Sequence, residues 1–218
     1  MIQLYRLSKK FGSKIALDDM NLRIRKGEFV FVTGPSGAGK TTLLRLIFGA
    51  EKPASGHILI NGINLNRISR SKLDLLRRKI GFVFQDFKLL PKKSVFENVA
   101  LALEVTGESP TLIRKKTHQT LRLVGLAEKE KVHPLQLSGG EQQRVAIARA
   151  IVKEPLLILA DEPTGNLDPD LTKDIMVLFR SIHIKGTTIV VATHSRELLE
   201  DTAQRVIFLN QGRIAGEK

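Results

Sequence analysis

Between Phe29 and Phe48 three patterns follow one another without a gap. An apolar run, Phe29-Val30-Phe31-Val32-Thr33, leads into Gly34-Pro35-Ser36-Gly37-Ala38-Gly39-Lys40-Thr41, and then into Leu43, Leu44, Leu46 and Ile47. The spacing predicts a buried strand, a tight glycine turn and a helix over Thr41–Phe48. The octet fits GxxxxGK[ST]. Its glycines permit positive φ, so backbone N–H groups can curl around phosphate oxygens, and the helix aims the positive end of its dipole at the same anion. Lys40 adds a charge for the β- and γ-phosphates, and the Thr41 hydroxyl is a candidate Mg2+ ligand. The candidate phosphate-binding residues are thus Gly34, Pro35, Ser36, Gly37, Ala38, Gly39, Lys40, Thr41 and Thr42.

Further along, His57–Ile60 before Asn61-Gly62 reads as a hairpin, Lys72–Arg78 as a short basic helix and Ile80–Phe84 as a strand. From about Asp86 to Pro155 strand-like runs stop. Helical patterns over Val95–Val105, Leu112–Val124 and Glu141–Val152 take over. Strands then resume at Leu156–Ala160, Thr188–Thr193 and Arg205–Leu209, alternating with helices over Leu171–Ile182 and Arg196–Thr202. Short apolar strands alternating with helices predict a largely parallel sheet covered on both faces, with a helical insertion. The last feature read is the turn Asn210-Gln211-Gly212, with no tail after it.

The second acidic site supports the first. Leu157-Ile158-Leu159-Ala160 ends in Asp161-Glu162. A strand beside the phosphate loop would bring Asp161 to the Mg2+ shell, and Glu162 close enough to the γ-phosphate to polarise an attacking water.

Composition narrows the class. The chain of 218 residues has no cysteine, which excludes disulfides and thiolate chemistry and suits an intracellular protein. The start MIQLYRLSKKFGSK lacks the apolar stretch of a signal peptide, and no run approaches the roughly 18 apolar residues of a membrane span. The net charge of +13 leaves three readings open: nucleic acid, an anionic membrane surface, or a solvated basic exterior. Without tryptophan and with a single tyrosine, a base-stacking platform for single strands is not expected.

Leu137-Ser138-Gly139-Gly140-Glu141-Gln142-Gln143 resembles the LSGGQ-type signature of the ABC ATPases, with Glu141 where Gln is usual. Ser138 with the amides of Gly139 and Gly140, opening a helix, would form a second phosphate-binding surface. One ATP and two such surfaces per chain imply a head-to-tail homodimer in which each signature covers the partner's ATP. The resemblance covers nearly the whole chain. It implies an ABC ATPase fold: an α/β phosphate-loop domain with a mostly parallel core sheet, an antiparallel β subdomain and an inserted helical subdomain. The expected division is core and β subdomain over 1–85 and 156–218, and helical subdomain over 86–155.

The same resemblance implies further roles. Gln85 sits at the position that contacts Mg2+ and the attacking water. Asn166-Leu167-Asp168 matches the loop in which Asp168 reaches across the dimer. His194 matches the switch histidine at the γ-phosphate, and Phe11 the aromatic residue that stacks on adenine. Phe11 stands where Tyr is usual, and Ser195 where Asp often follows the histidine.

The stretches Phe84–Pro91 and Val95–Ala100, with Leu137–Val145 and Ala160–Asp168, look like the FtsE group of cell-division ATPases. That likeness implies ATP and Mg2+ as cofactors and a polytopic membrane protein of the FtsX type as partner. It also implies a peripheral position on the cytoplasmic face and control of cell-wall hydrolysis; the basic surface would there face anionic lipid as a further contact. The lipoprotein-release and macrolide-efflux ATPases share these signatures and form the alternative. A nucleic-acid ATPase, a catalytically dead scaffold and an unrelated phosphate-loop kinase are weaker readings. The chain lacks the long insertions of the first, retains Lys40, Asp161, Glu162 and His194 against the second, and has the signature against the third.

Overall fold

The computed structural model describes every residue except Asn166, Arg196 and Asp201. In chain order, the elements begin with β1 (Ile2–Phe11), β2 (Lys14–Ile24), β3 (Phe29–Thr33), α1 (Lys40–Ile47), β4 (Ser55–Ile60), β5 (Ile63–Asn64), α2 (Arg70–Arg78) and β6 (Ile80–Val83). Three helices follow: α3 (Val95–Glu104), α4 (Pro110–Leu123) and α5 (Gly139–Ile151). The chain then forms β7 (Leu157–Asp161), α6 (Pro169–Ile184), β8 (Thr188–Ala192), α7 (Glu197–Glu200), β9 (Arg205–Asn210) and β10 (Arg213–Glu217).

Two sheets result. One has the order β10-β9-β3-β8-β7-β6; the other, β2-β1-β4-β5, is antiparallel throughout. In the larger sheet β9, β3, β8, β7 and β6 are mutually parallel and β10 alone is antiparallel. Side chains alternate across it. Phe29, Phe31, Ile158, Ala160 and Val191 point into a core shared with α3, α5 and α6. Val30, Val32, Leu157, Leu159 and Val190 point into a second core shared with α1 and the antiparallel sheet. Strands buried on both faces explain why their sequence reads as continuous apolar runs.

The strand that closes the chain is a correction to the sequence reading. Asn210-Gln211-Gly212 is a turn, with positive φ at Gln211 and Gly212, but Arg213–Glu217 returns along β9. Only Ile214 of that strand packs on the core, so it lacks an apolar pattern. The long strands β1 and β2 also escaped the periodicity. Their pairing shifts register at Leu4/Leu7 and Leu7/Lys9, with Arg6 and Asp19 at positive φ. Bulges of this kind move the inward phase by one residue, so Leu4 and Leu7 both face inward. By contrast Asn61-Gly62, both at positive φ, joins β4 to β5 as the anticipated hairpin.

Asn98 on α3 is fully buried. Its side chain accepts from the Leu90 N–H at 2.8 Å and donates to the carbonyls of Leu90, Lys93 and Ser94 at 3.1, 2.9 and 2.9 Å. It therefore supplies the backbone partners that the irregular segment before α3 cannot find in a sheet. Replacing Asn98 with Leu removes the partner of the Leu90 N–H and of the Lys93 carbonyl, while the Leu90 and Ser94 carbonyls keep the backbone N–H groups of Lys93 and Asn98. The expected cost is about 2–4 kcal/mol of unfolding free energy in urea titrations, with faster amide exchange at residues 88–94.

Candidate nucleotide site

A cleft of about 580 Å3 opens over the phosphate loop. Gly34 follows β3, and α1 begins at Lys40 with Gly39 as its N-cap. Neither glycine has room for a side chain. A Cβ on Gly34 would lie 2.1 Å from the Leu209 carbonyl oxygen, and one on Gly39 would lie 2.6 Å from that of Ala16. Both also take positive φ, at 147° and 107°. The glycine pattern thus reflects close packing against β9 and β2 as well as the curl of the loop.

Ser36, Gly37, Ala38, Gly39, Lys40, Thr41 and Thr42 line the cleft, together with Phe11, Gln85, Glu162 and His194. Gly34 and Pro35 contribute from beneath, where their carbonyls accept from the Lys40 ammonium at 2.7 and 3.3 Å. The same ammonium is 3.7 Å from the Glu162 carboxylate. Phe11 is half-exposed, and the Lys9 ammonium lies 4.7 Å from its ring centroid.

The neighbouring carboxylates Asp161 and Glu162 have different surroundings. Asp161 ends β7, is buried, and accepts from the Thr41 hydroxyl at 3.0 Å. Burial pushes its carboxyl above the ordinary range, against the Thr41 hydrogen bond, which favours the anion. Glu162 has a φ of 48°, which takes the chain off the strand line. Its carboxylate accepts from the His194 backbone N–H at 3.2 Å, and His194 Nδ1 lies 2.9 Å from the same carboxylate.

Other anticipated residues stand apart from this cleft. Ser138, Gly139, Gly140 and Asp168 do not line it. Ser138 caps α5 in a reciprocal box: its hydroxyl accepts from the Glu141 N–H at 3.3 Å, and Glu141 accepts from the Ser138 N–H at 3.0 Å. Lys129 pairs with Glu141, and that bond, with the one from Ser138, holds the Glu141 carboxyl below its usual range. Asp168 caps α6, accepting from the N–H groups of Asp170 and Leu171 at 3.0 Å each. Asn166, of the same motif, lies outside the described residues, as do Arg196 and Asp201 of the anticipated helix Arg196–Thr202.

Arg149 was not singled out by its sequence. It sits near the end of α5 and donates to the carbonyls of Phe87 and Lys88, both at 2.7 Å. Those two residues have positive φ and follow Gln85 closely. The available signal was a cation inside the otherwise apolar stretch Val145–Ile151.

The comparisons with known proteins agree with this geometry. The ABC transporter family matches residues 17–165. The chain belongs to the ABC transporter family. It is 49% identical over 219 residues to the cell division ATP-binding protein FtsE of Bacillus subtilis, covering 100% of this chain and 96% of that one. It is 44% identical to the methionine import ATP-binding protein MetN of Rhizobium johnstonii, covering 100% of this chain and 60% of that one. Among solved structures it matches a dimeric, post-hydrolysis ATP-binding cassette bound to ADP and Pi, with a TM-score of 0.92 and 39% identity over 100% and 98% of the two chains. The chain is therefore an ATP-binding, ATP-hydrolysing ABC ATPase. No described helix is long and apolar enough to cross a membrane.

The raised Asp161 carboxyl makes a prediction for this ABC ATPase in the absence of nucleotide. A carboxyl whose folded pKa exceeds its unfolded value lowers stability once pH rises above both values. Asp161→Asn removes that penalty and keeps an acceptor for Thr41. Calorimetry is expected to show a higher Tm than wild type at neutral pH. The gain should shrink as pH falls through the folded-state pKa and vanish below the ordinary value of 3.8.

Proposed function

We propose that this chain is the ATPase subunit of a membrane complex that acts in cell division. Two copies close head to tail over two ATP molecules, with a polytopic membrane protein of the FtsX type as partner and control of cell-wall hydrolysis as output. One observation carries the dimer: the capped start of α5 at Ser138–Gly140 lies outside the cleft lined by the phosphate loop, Glu162 and His194. A second copy can bring its own α5 to that cleft. The cell-division assignment rests on the full-length similarity to FtsE proteins.

Within the cleft the roles follow from position. Backbone amides of Gly37–Lys40 and the Lys40 ammonium bind the β- and γ-phosphates. The Phe11 ring stacks on adenine. Thr41 and Asp161 present hard oxygen donors 3.0 Å apart, and Gln85 lines the same cleft; this donor set suits Mg2+, which prefers one or two carboxylates completed by phosphate and water. When bound, Mg2+ would neutralise charge on the β- and γ-phosphates. Glu162 takes the proton of the attacking water. His194 holds that base through its backbone N–H and presents its ring, beside the Glu162 carboxylate, to a γ-phosphate oxygen. Asp168 and the Ser138–Gly140 amides face the partner's nucleotide. Residues 86–155 work as the helical subdomain against the unit of 1–85 and 156–218, and Phe87–Ser94 borders the groove for the membrane protein. The subunit sits on the cytoplasmic face of the membrane, where the +13 charge favours anionic lipid.

Glu162→Gln tests the centre of this reading. Phosphate release is expected to fall about 10²–10⁴-fold, while light scattering shows an ATP-dependent dimer that wild type forms only transiently. Undiminished hydrolysis removes Glu162 from its role, and a monomer with ATP demonstrably bound removes the head-to-tail sandwich of the isolated chain. Phe11→Ala is expected to weaken ATP binding about tenfold, the loss of one base–aromatic stack, with the same variant keeping its thermal stability.

A further inference from the structure

A second cavity, of about 390 Å3, opens at the edge of the protein far from the phosphate loop. The loop follows the end of β3, whereas this cavity is lined by the first residues of β6 and β7, by α2 and by the turn of the β4–β5 hairpin. On α2 and its C-cap, Lys72, Leu75, Leu76 and Lys79 recur at the spacing that places side chains on one helix face. Leu75 is 55% exposed, Ile63 from the hairpin 43% and Leu156 before β7 41%, and all three converge on this hollow. Leu76 and Ile80 are buried beneath them. Scattered exposed leucines need no explanation, but several around one concavity mark a binding surface.

The rim carries charge of one sign. Lys72 and Lys79 line the cavity, and among the described residues no acidic one does. The nearest carboxylate on α2, Asp74, is engaged by Arg77 at 3.1 Å. Among the described residues neither lysine has a carboxylate partner. The volume lies within the range of sites for small molecules, roughly 300–1,000 Å3, which characteristically combine apolar walls with a few polar groups that fix orientation.

We propose that this cavity binds a single-chain anionic amphiphile, a medium-chain fatty carboxylate. Its tail packs against Ile63, Leu75 and Leu156, and its headgroup lies between Lys72 and Lys79. A bare inorganic anion would gain nothing from the apolar floor, and a neutral alkane would leave both ammonium groups unused. The site is independent of the nucleotide cleft and of the cell-division assignment.

Calorimetric titration of the full chain with decanoate, below its micellar concentration, tests this. Saturating Mg-ADP is present throughout, so that the phosphate loop is already filled. Acetate serves as the headgroup alone and decyltrimethylammonium as the tail with inverted charge. One saturable decanoate site per chain is expected, with acetate silent and the cation at least tenfold weaker. Leu75→Asp should weaken decanoate about tenfold or more. Lys72→Glu with Lys79→Glu should do the same for decanoate while strengthening the cationic probe. All three side chains are exposed, and thermal melts confirm that the variants fold. Absence of saturable binding, binding of many decanoates unaffected by Leu75→Asp, or equal binding of the cationic probe overturns the proposal.

Discussion

The nucleotide site depends on two backbone contacts that leave no space for a Cβ, Gly34 against Leu209 and Gly39 against Ala16. The first ties the phosphate loop to the parallel sheet, and the second ties it to the antiparallel one. Gly212 completes the joint: its N–H donates to the Ala38 carbonyl at 3.1 Å, and its own carbonyl accepts from the Asp18 N–H at 2.9 Å. The loop is therefore held by two segments distant in sequence, around Ala16 and around Leu209–Gly212. Its amides can converge on an anion without first being ordered by it, which is the structural form of preorganisation.

The same economy shapes the two carboxylates. Asp161 and Glu162 are adjacent in sequence, yet the turn of the chain at Glu162, with its φ of 48°, gives them separate environments. Asp161 stays in the sheet, desolvated, with Thr41 as its hydroxyl partner. Glu162 leaves the sheet to stand between Lys40 and His194. One residue of separation, which in a regular strand would only reverse the facing direction, here divides the proposed metal ligand from the proposed base.

Helix α5 links the parts of the molecule that the proposed dimer would use. Its first turn is the capped signature, and Arg149 near its end holds the carbonyls of Phe87 and Lys88. Asn98 holds the remainder of that segment from α3. A displacement of α5 would thus be felt directly beside Gln85, through hydrogen bonds that a rigid helix carries over its length. The positive φ values at Phe87 and Lys88 mean that this segment is kept in shape by its partners, and not by its own backbone preference.

The sequence alone determined the chemistry. The octet from Gly34 to Thr41, the Asp161-Glu162 pair after an apolar strand, and the signature around Ser138 are local patterns. Short-range sterics and side-chain type suffice to read the first two, a resemblance to the family's signature reads the third, and the strands buried on both faces announced themselves as unbroken apolar runs. What tertiary structure decided is where long-range contacts override local pattern. Bulges at Arg6 and Asp19 hid β1 and β2 by shifting their inward phase, and β10 formed on an edge with only the partly buried Ile214 packed against the core. The grip of Arg149 on Phe87 and Lys88 spans 62 and 61 residues. The separation of the α5 start from the phosphate-loop cleft, which leaves room for the second copy of the proposed dimer, is likewise a matter of how helices pack on a sheet. No window of sequence contains it, because its cause is the burial of two apolar cores on opposite faces of the same strands.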